Sequence, residues 1–269
     1  MTKLAFTVAG SLAVLVGIGW LGLQIKPEPF PPRPQRTGQL DTVGMPDGLP
    51  EPVERHFRTV FGERVPEIET AVVRARADFK VKGLWTPMRF ESYHAAGRAF
   101  VKDMQITWFR LPALRGSDSY IDDSGSLKIS GLVNMSETGM RMDQGENLAM
   151  WGEAPFTTPS VLVLDPRVRW EPVDADSVRL IVPFGEREET LRVEFDPDTG
   201  LMSSMSGMRY QEQERTKTPW RAEYSRWETV HGIKVPHRNT AMWEDEGEPY
   251  IVLDLDGVEY NVDVSEEIP

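Results

Sequence analysis

The sequence predicts a mainly β (α+β) protein. It is built on one curled antiparallel sheet, or half-barrel, covered by a few helical segments and preceded by one N-terminal transmembrane helix. Three observations lead to this prediction. An uncharged apolar stretch occupies residues 4–25. From residue 71 onward, short segments carry apolar residues at every second position, with tight-turn signals between them. Helical periodicity is confined to two segments of the remainder, which indicates a meander of neighbouring antiparallel strands.

The apolar stretch has the length of a membrane-spanning helix. Its 22 residues rise roughly 33 Å as a helix, against about 30 Å for a bilayer core. It is longer than the h-region of a signal peptide, and no small-residue cleavage signal follows it, although a cleaved signal peptide is the alternative. We predict a single-pass anchor over residues 1–25 that contacts the membrane through residues 4–25. We expect the soluble domain to be extracytoplasmic, although basic residues flank both ends of the stretch.

A Pro-rich linker and an acidic domain follow the apolar stretch. Residues 26–48 contain six prolines and three glycines, which predicts a semi-rigid spacer that lifts the domain off the membrane. The half-barrel domain is predicted over residues 49–269. Beyond residue 26 the chain has 28 basic and 42 acidic residues, a net charge of −14. A domain this acidic is repelled by nucleic acid, so no nucleic-acid partner is predicted.

The domain begins with a short helix and then a strand. Pro50 and Pro52 suit a first helical turn, and the apolar stripe through Val53 and Phe57 ends at Gly62. Over residues 71–82 every odd position is apolar and most even positions are charged, which predicts a strand with one buried and one solvated face.

Further strands and one further helix complete the predicted sheet. The helix is expected around Gly145–Glu153, and a hairpin turn at Asp196–Gly200. A second hairpin turn is expected at Asp123–Gly125. The predicted strands cover residues 88–95, 98–109, 169–173, 177–184 and 190–211, with others to the end of the chain.

No catalytic or metal-binding pattern stands out. The four histidines, His56, His94, His231 and His237, do not show the ligand spacing of a zinc site, and the absence of cysteine excludes thiolate ligands. The serines at 203, 204 and 206 have no identifiable histidine partner, and no nucleophile elbow or phosphate-binding loop is present. We therefore predict no catalytic residues, no metal and no cofactor. An enzyme whose site is assembled from distant strands stays open as an alternative.

Methionine and aromatic residues are the most promising functional feature. Methionine is flexible and adapts to ligands of variable shape, although it also fills ordinary cores. The even positions of 202–210 read Met, Ser, Ser, Met, Tyr, as a groove with large ends would need. The residues predicted to line an apolar ligand site are Phe79, Val81, Phe90, Met104, Trp108, Met202, Met208, Tyr210 and Trp227.

Several short motifs resemble a known family. The order LPEPVERHF, GLWTPMRFESYHA, DSYIDDSG, GENLAMWGEAPFTTPSVLV, FDPDTG and HGIKVPHRNTAMW, across residues 49–262, resembles a prokaryotic family, often membrane-anchored, that is known only as a domain of unknown function. The run FDPDTGLMSSMSG with the later HGIKVPH also resembles the later strands of periplasmic lipoprotein carriers (LolA/LolB/LppX-like). That resemblance implies a half-barrel that shelters acyl chains around its helices.

Together these observations predict a protein of the cell envelope that binds an apolar ligand without catalysis. The expected ligand is a lipid or a lipoprotein acyl chain, held by burial in the curled sheet at about 0.8 kcal/mol per methylene. A structural or interaction module of an envelope complex is the first alternative, and an enzyme is the second. A carrier that shuttles must diffuse, and an anchored chain departs from that pattern.

Overall fold

A single large antiparallel sheet dominates the computed structural model, which describes residues 14, 17–131, 134–211 and 216–268. Its thirteen strands are β3 (Thr70–Val81), β4 (Leu84–Ala95), β5 (Ala99–Trp108), β6 (Leu111–Ile121), β7 (Ser124–Gly131), β8 (Met135–Thr138), β9 (Arg169–Pro172), β10 (Ser177–Phe184), β11 (Arg187–Phe195), β12 (Met202–Tyr210), β13 (Lys217–Val230), β14 (Ile233–Trp243) and β15 (Pro249–Tyr260). Across the sheet they are ordered β8-β7-β6-β5-β4-β3-β15-β14-β13-β12-β11-β10-β9.

The chain order explains the topology. Two meanders, β3 to β8 and β9 to β15, join where the last strand pairs with the first, along Ile251↔Phe79 to Tyr260↔Ala71. A separate two-stranded sheet pairs β1 (Thr42–Gly44) with β2 (Arg64–Pro66). The predicted meander of antiparallel strands with few helices is thereby confirmed.

The helices connect and cover this sheet. A helical segment, α1, covers residues 17–23. Helix α2 (Glu51–Phe61) follows the prediction, and helix α3 (Met140–Thr157) extends the predicted Gly145–Glu153 segment at both ends. A short helix, α4 (Val161–Leu164), follows α3.

Helix α3 links the two edges of the sheet. The chain leaves edge strand β8, runs through α3 and α4, and re-enters the sheet at the opposite edge strand β9. Along its length α3 contacts β6 and β7 near one edge and β10 and β12 near the other. A flat sheet of this width cannot present both ends to one helix, so the sheet curls around α3.

Strand β3 shows how the two faces of the sheet differ. Its odd positions from Ala71 to Ala77 are buried on the concave side, as the alternation predicts. The even face was predicted to be solvated, and that prediction is wrong near the start of the strand. Val72 is buried against Tyr93, Val262 and Val264, because the C-terminal residues fold over the convex face.

The Pro-rich segment also lies on the convex face. Arg36 Nη1 contacts Glu259 Oε1 at 2.7 Å, and Arg33 forms ion pairs with Glu91 and Glu267. Residues 26–37, predicted as a spacer, therefore run along the outside of the sheet, held by basic side chains that meet acidic partners on β4, β15 and the C-terminal residues.

The N-terminal apolar stretch is described only in part. The predicted transmembrane residues 4–25 fall largely outside the described part of the chain, which lacks residues 1–13, 15 and 16. Among the residues that are described, no helix combines the length and the apolar character needed to span a bilayer.

Candidate functional site

A cavity of about 520 Å³ lies between the concave face of the sheet and α3. Most of its wall is apolar and comes from strands β3 to β7, β15 and the inward side of α3. Its apolar lining residues include Phe79, Met88, Phe90, Met104, Ile106, Leu114, Leu127, Ile129, Phe156, Ile251 and Leu253, and Trp220, Tyr224, Ala241 and Trp243 of β13 and β14 add to the wall. Cavities of about 300–1,000 Å³ with mainly apolar walls are typical of small-molecule sites.

The cavity stays open because α3 presents small side chains to it. Gly145, Ala149 and Gly152 line the space and fall at intervals of four and three residues, which places them on one helical face. A Cβ added at Gly152 would lie 2.8 Å from Cη2 of Trp220, so the helix is already as close to β13 as a glycine allows. The large residues of α3, including Leu148 and Trp151, are fully buried elsewhere in the core.

Part of the wall is charged and buried. Lys102 Nζ contacts Glu153 Oε1 at 2.5 Å, and the lysine side chain is only 8% exposed. Its ammonium group also lies over the rings of Phe90 and Phe100. Burial opposes the charge of Lys102, but the nearby Glu153 and Asp118 outweigh it and hold the lysine pKa above its usual range.

A second charged group lies beside this pair. Arg209 Nη2 is 3.6 Å from Glu146 Oε1, and the guanidinium stacks over Trp220 at 5.4 Å. Burial, together with the charge of Asp118 and a hydrogen bond to it, holds the pKa of Glu146 well above its usual range. Glu146 is therefore neutral over a wider pH range than an exposed glutamate, so the polar wall carries little net charge.

Asn239 extends the polar wall toward β14. It is 6% exposed, and its Nδ2 donates to Pro236 O at 3.1 Å. Its cross-strand partner is Tyr224, whose hydroxyl donates to Gly152 O at 2.7 Å. Asn239 thus sits near the turn of α3 that carries Glu153.

The cavity opens at one end of the sheet. Lys82 and Gly83 of the β3–β4 turn line it and are exposed, as are Arg141 near the start of α3 and Glu246 of the β14–β15 turn. The hairpin tip between β5 and β6 lies at this same end, since β3 and β5 run in the same direction through the sheet.

The structure brings together four of the nine residues predicted to line a ligand site. Phe79, Phe90, Met104 and Tyr210 all line the cavity. The other five lie elsewhere in the fold: Val81 at the end of β3, Trp108 at the β5–β6 tip, Met202 fully buried in the core, Met208 on the exposed side of β12, and Trp227 packed against His56.

A β-bulge accounts for part of this separation. On β12 the register shifts so that Glu194 faces Ser204 while Phe195 faces Met202, leaving Ser203 as an extra residue. Met202 and Met205 then both point into the core, and Met208 turns outward at 47% exposure. The predicted groove along the even positions of 202–210 is therefore wrong.

A second register shift lies between β5 and β6, where Ala113 of β6 is the extra residue. Thr107 is buried, and Trp108 ends β5 at the hairpin tip. There Trp108 is 41% exposed, and its Nε1 donates to Gly19 O of α1 at 3.0 Å.

The histidines do not converge. His56 and His94 are both 2% exposed and lie on α2 and β4, while His231 and His237 flank the start of β14. Within the described ranges, no group of three or more histidine, aspartate or glutamate side chains is arranged to hold a metal ion.

Sequence reasoning missed the polar wall, although one signal of it was present. Lys102 interrupts the apolar stripe of Phe100, Met104 and Ile106 on the inward face of β5. A charged residue within a buried stripe indicates a buried partner, and here that partner is Glu153. No comparable signal marks Asn239.

Comparison with solved structures finds several chains that are similar to this one. Among solved structures, the chain is similar to a LolA superfamily protein from Nitrosomonas europaea, with a TM-score of 0.48 and 10% identity over 81% of this chain and 96% of that chain. It is also similar to a DUF1329 family protein from Desulfovibrio piger (TM-score 0.44, 13% identity, 74% and 88% covered). A third is an outer membrane lipoprotein-sorting protein domain from Vibrio parahaemolyticus (TM-score 0.44, 8% identity, 80% and 92% covered).

The sequence itself assigns the chain to a family. No curated protein gives a significant match. Residues 39–255, which include nearly all of the sheet and all of α2 to α4, match the profile of a family of unknown function, DUF6544. The resemblance drawn from the short motifs is thus confirmed, and the chain belongs to the DUF6544 family of unknown function.

Proposed function

We propose that this protein binds an apolar ligand, a lipid or an acyl chain, in the cavity between α3 and the sheet. The observation that supports this proposal is the unfilled apolar cavity of about 520 Å³. A well-packed protein interior leaves few voids larger than a water molecule, so an unfilled space of this size on the concave face needs a reason. Each buried methylene contributes about 0.8 kcal/mol, so a chain of several methylenes binds without any specific polar contact.

Ligand retention tests this proposal directly. The full-length chain, purified and extracted with organic solvent, is expected to release a lipid that mass spectrometry detects in roughly stoichiometric amount. Ala149→Phe places a ring in the cavity from the middle of α3 and is expected to abolish retention. Val173→Phe, at an exposed position, is the matched control and is expected to retain the ligand.

Two outcomes would contradict ligand binding in this cavity. One is a wild-type chain that carries no lipid and takes none up from added lipid. The other is an Ala149→Phe variant that stays folded by circular dichroism and retains as much lipid as the control.

The end of the sheet that holds the cavity entrance also suits a membrane surface. Leu84, Trp85, Trp108, Phe109 and Leu111 of two neighbouring hairpin tips are 37–69% exposed. Aromatic side chains of this kind favour the interface between lipid and water.

Segment α1 lies against the same tips. Phe109 N donates to Gly22 O at 3.0 Å, and the ring of Trp108 packs on Gly22 so closely that any Cβ there would clash. We place the anchor at residues 4–25 and the cavity entrance at the bilayer surface, with the domain on the extracytoplasmic side. The ligand then enters from the membrane without crossing water.

One observation favours a second candidate, acid–base catalysis on the bound molecule. Burial and Asp118 raise the pKa of Glu146 inside the cavity, and strongly perturbed groups in a cleft are typical of catalytic sites. Incubating the wild-type chain with its extracted ligand distinguishes the two functions. An enzyme yields a product of changed mass that Glu146→Gln does not form, whereas a binding protein returns the ligand unchanged in both cases.

A further inference from the structure

The polar wall of the cavity contains buried oxygen atoms that lack donors. Within the described residues, four cavity-lining side chains each have one buried oxygen without a hydrogen-bond partner: Asp118 Oδ1, Glu146 Oε2, Glu153 Oε2 and Asn239 Oδ1. All four atoms are acceptors. A buried acceptor without a donor destabilises the fold, so such atoms are normally paired.

Two of the four oxygens have an internal explanation. Glu146 and Asp118 lie close enough to share one proton, and the raised pKa of Glu146 favours that proton. The oxygens of Glu153 and Asn239 have no such explanation. Lys102 contacts Oε1 of Glu153 and leaves Oε2 without a donor.

The orientation of the Asn239 amide is fixed by its neighbour. Its nitrogen faces Pro236 O, which can only accept a hydrogen bond, so the oxygen must be the atom that remains unpaired. Asn239 is more than nine-tenths buried and lines the cavity. Asn239 and Glu153 belong to the same wall: Asn239 is the cross-strand partner of Tyr224, whose hydroxyl donates to Gly152 O, one residue before Glu153.

The two buried cations of this wall are already engaged. Lys102 is paired with Glu153, and Arg209 contacts Glu146 and Tyr250 while stacking on Trp220. An anionic head group would meet acceptor oxygens there instead of free donors. A head group with hydroxyl or amide hydrogens would complete the hydrogen bonds that the wall lacks.

Resting on the proposed function, we infer that the ligand is an amphiphile whose head group donates hydrogen bonds to Asn239 and Glu153 and carries no negative charge. Its chain occupies the apolar part of the cavity lined by β3 to β7. This assigns the ligand class by the chemistry of the wall: acyl glycerols or acyl amides, in preference to fatty acids or phosphate esters.

A competition experiment tests the head-group preference. The full-length chain is incubated with an equimolar mixture of 1-monomyristoylglycerol, N-myristoylethanolamine, methyl myristate and myristic acid, and the retained species are quantified by mass spectrometry. The acyl chain is the same in all four, so differences report the head group. We expect the two donor-bearing compounds to exceed the methyl ester by about tenfold and the acid by at least as much, from one to two net hydrogen bonds.

Variants locate the preference in the wall. Asn239→Leu and the double variant Lys102→Met/Glu153→Met each remove one acceptor, and the double variant does so without leaving a buried charge unpaired. Each is expected to lower the ratio of glycerol ester to methyl ester by about three- to tenfold. Glu171→Met on the exposed edge strand β9 is the matched control and is expected to leave the ratio unchanged.

The possible results separate this inference from the proposed function. Equal retention of the methyl ester and the donor-bearing compounds overturns the head-group inference while the binding function stands. Preferential retention of myristic acid also overturns it, because the cations would then be the recognising groups. Retention of none of the four overturns both. A ratio that Asn239→Leu and the folded double variant leave unchanged places the selection outside this wall and overturns the inference.

Discussion

Two buried histidines make the stability of this protein sensitive to acid. His56 packs among Phe57, Phe195 and Trp227, and its Nδ1 accepts a hydrogen bond from Met202 N at 3.1 Å. Burial lowers the pKa of His56 from 6.5 to about 3, against a smaller opposing effect of a backbone hydrogen bond.

The lowered pKa fixes the direction and size of the effect. The folded protein binds the proton less well than the unfolded chain, so the stabilisation is fully present above pH 6.5 and is lost as the pH falls from 6.5 toward 3. At pH 4.5, two units below the unfolded value, the loss from His56 is about 2.7 kcal/mol at 1.36 kcal/mol per unit. His94 is lowered to about 3 by burial and the charge of Lys102, and it adds a loss of the same direction.

Urea unfolding at pH 7.5 and pH 4.5, followed by tryptophan fluorescence, measures this loss. Carboxylates also titrate in this range, so the informative quantity is the difference between wild type and His56→Gln in the stability lost on acidification. Glutamine retains an acceptor for Met202 N but has no proton to gain. The variant is expected to lose about 2–3 kcal/mol less than the wild type.

A matched variant controls for substitution on α2 in general. Thr59→Gln changes a half-buried residue of the same helix that has no ionisable group, and it is expected to lose as much stability as the wild type. If His56→Gln and the wild type lose equal stability between the two pH values, burial does not hold His56 neutral and the reasoning fails.

Three further perturbations address the cavity wall and the proposed membrane surface. Lys102→Met leaves Glu153 buried without its cation and is expected to lower the free energy of unfolding by about 3–5 kcal/mol, most of it restored by adding Glu153→Met; urea titrations of both variants measure this. The raised pKa of Glu146 makes the wild type lose stability as the pH rises from about 4.5 through that pKa, and Glu146→Gln is expected to abolish this loss. If the change of stability between pH 5 and 8 is the same in both proteins, Glu146 is not a buried carboxyl group. In bilayers containing brominated lipid, Trp108→Phe is expected to reduce the quenching of tryptophan fluorescence, whereas Trp227→Phe in the interior is not, and equal quenching in both variants would place the hairpin tips away from lipid.

Strands, turns and helices could be predicted where the local residue pattern of each element agrees with its position in the fold. In the strand at 70–81, every second residue is apolar and faces the buried concave side. In the Asp196–Gly200 turn, Gly200 has a φ of +70° and Asp196 Oδ1 accepts a hydrogen bond from Thr199 N. Helix α2 begins after Pro50, where a proline costs no hydrogen bond. Periodicity and turn chemistry are local, so the sequence was sufficient for these elements.

Features that depend on distant partners were not predictable in the same way. The bulge at Ser203 changes which residues of β12 face the core, and nothing in the sequence distinguishes it from regular alternation. The convex face of β3 is covered by Val262 and Val264, and the Pro-rich segment is held beside it by the ion pair of Arg36 with Glu259, more than two hundred residues away. Of the candidate site, the aromatic and methionine lining on β3 to β5 was accessible from patterning, whereas the polar wall required the position of α3.

The contrast within α3 explains why a cavity exists here at all. One face of the helix fills the core between the sheet edges with Leu148 and Trp151, both at most 1% exposed. The face toward the cavity carries Gly145, Ala149 and Gly152 beside the larger Glu146, Glu153 and Phe156, and glycine lowers helix stability by about 1 kcal/mol relative to alanine. A larger apolar residue at Ala149 would fill part of the space, whereas any side chain at Gly152 would meet Trp220. The small residues of α3 therefore leave part of the protein interior unfilled, beside a paired lysine and side-chain oxygens that lack hydrogen-bond donors.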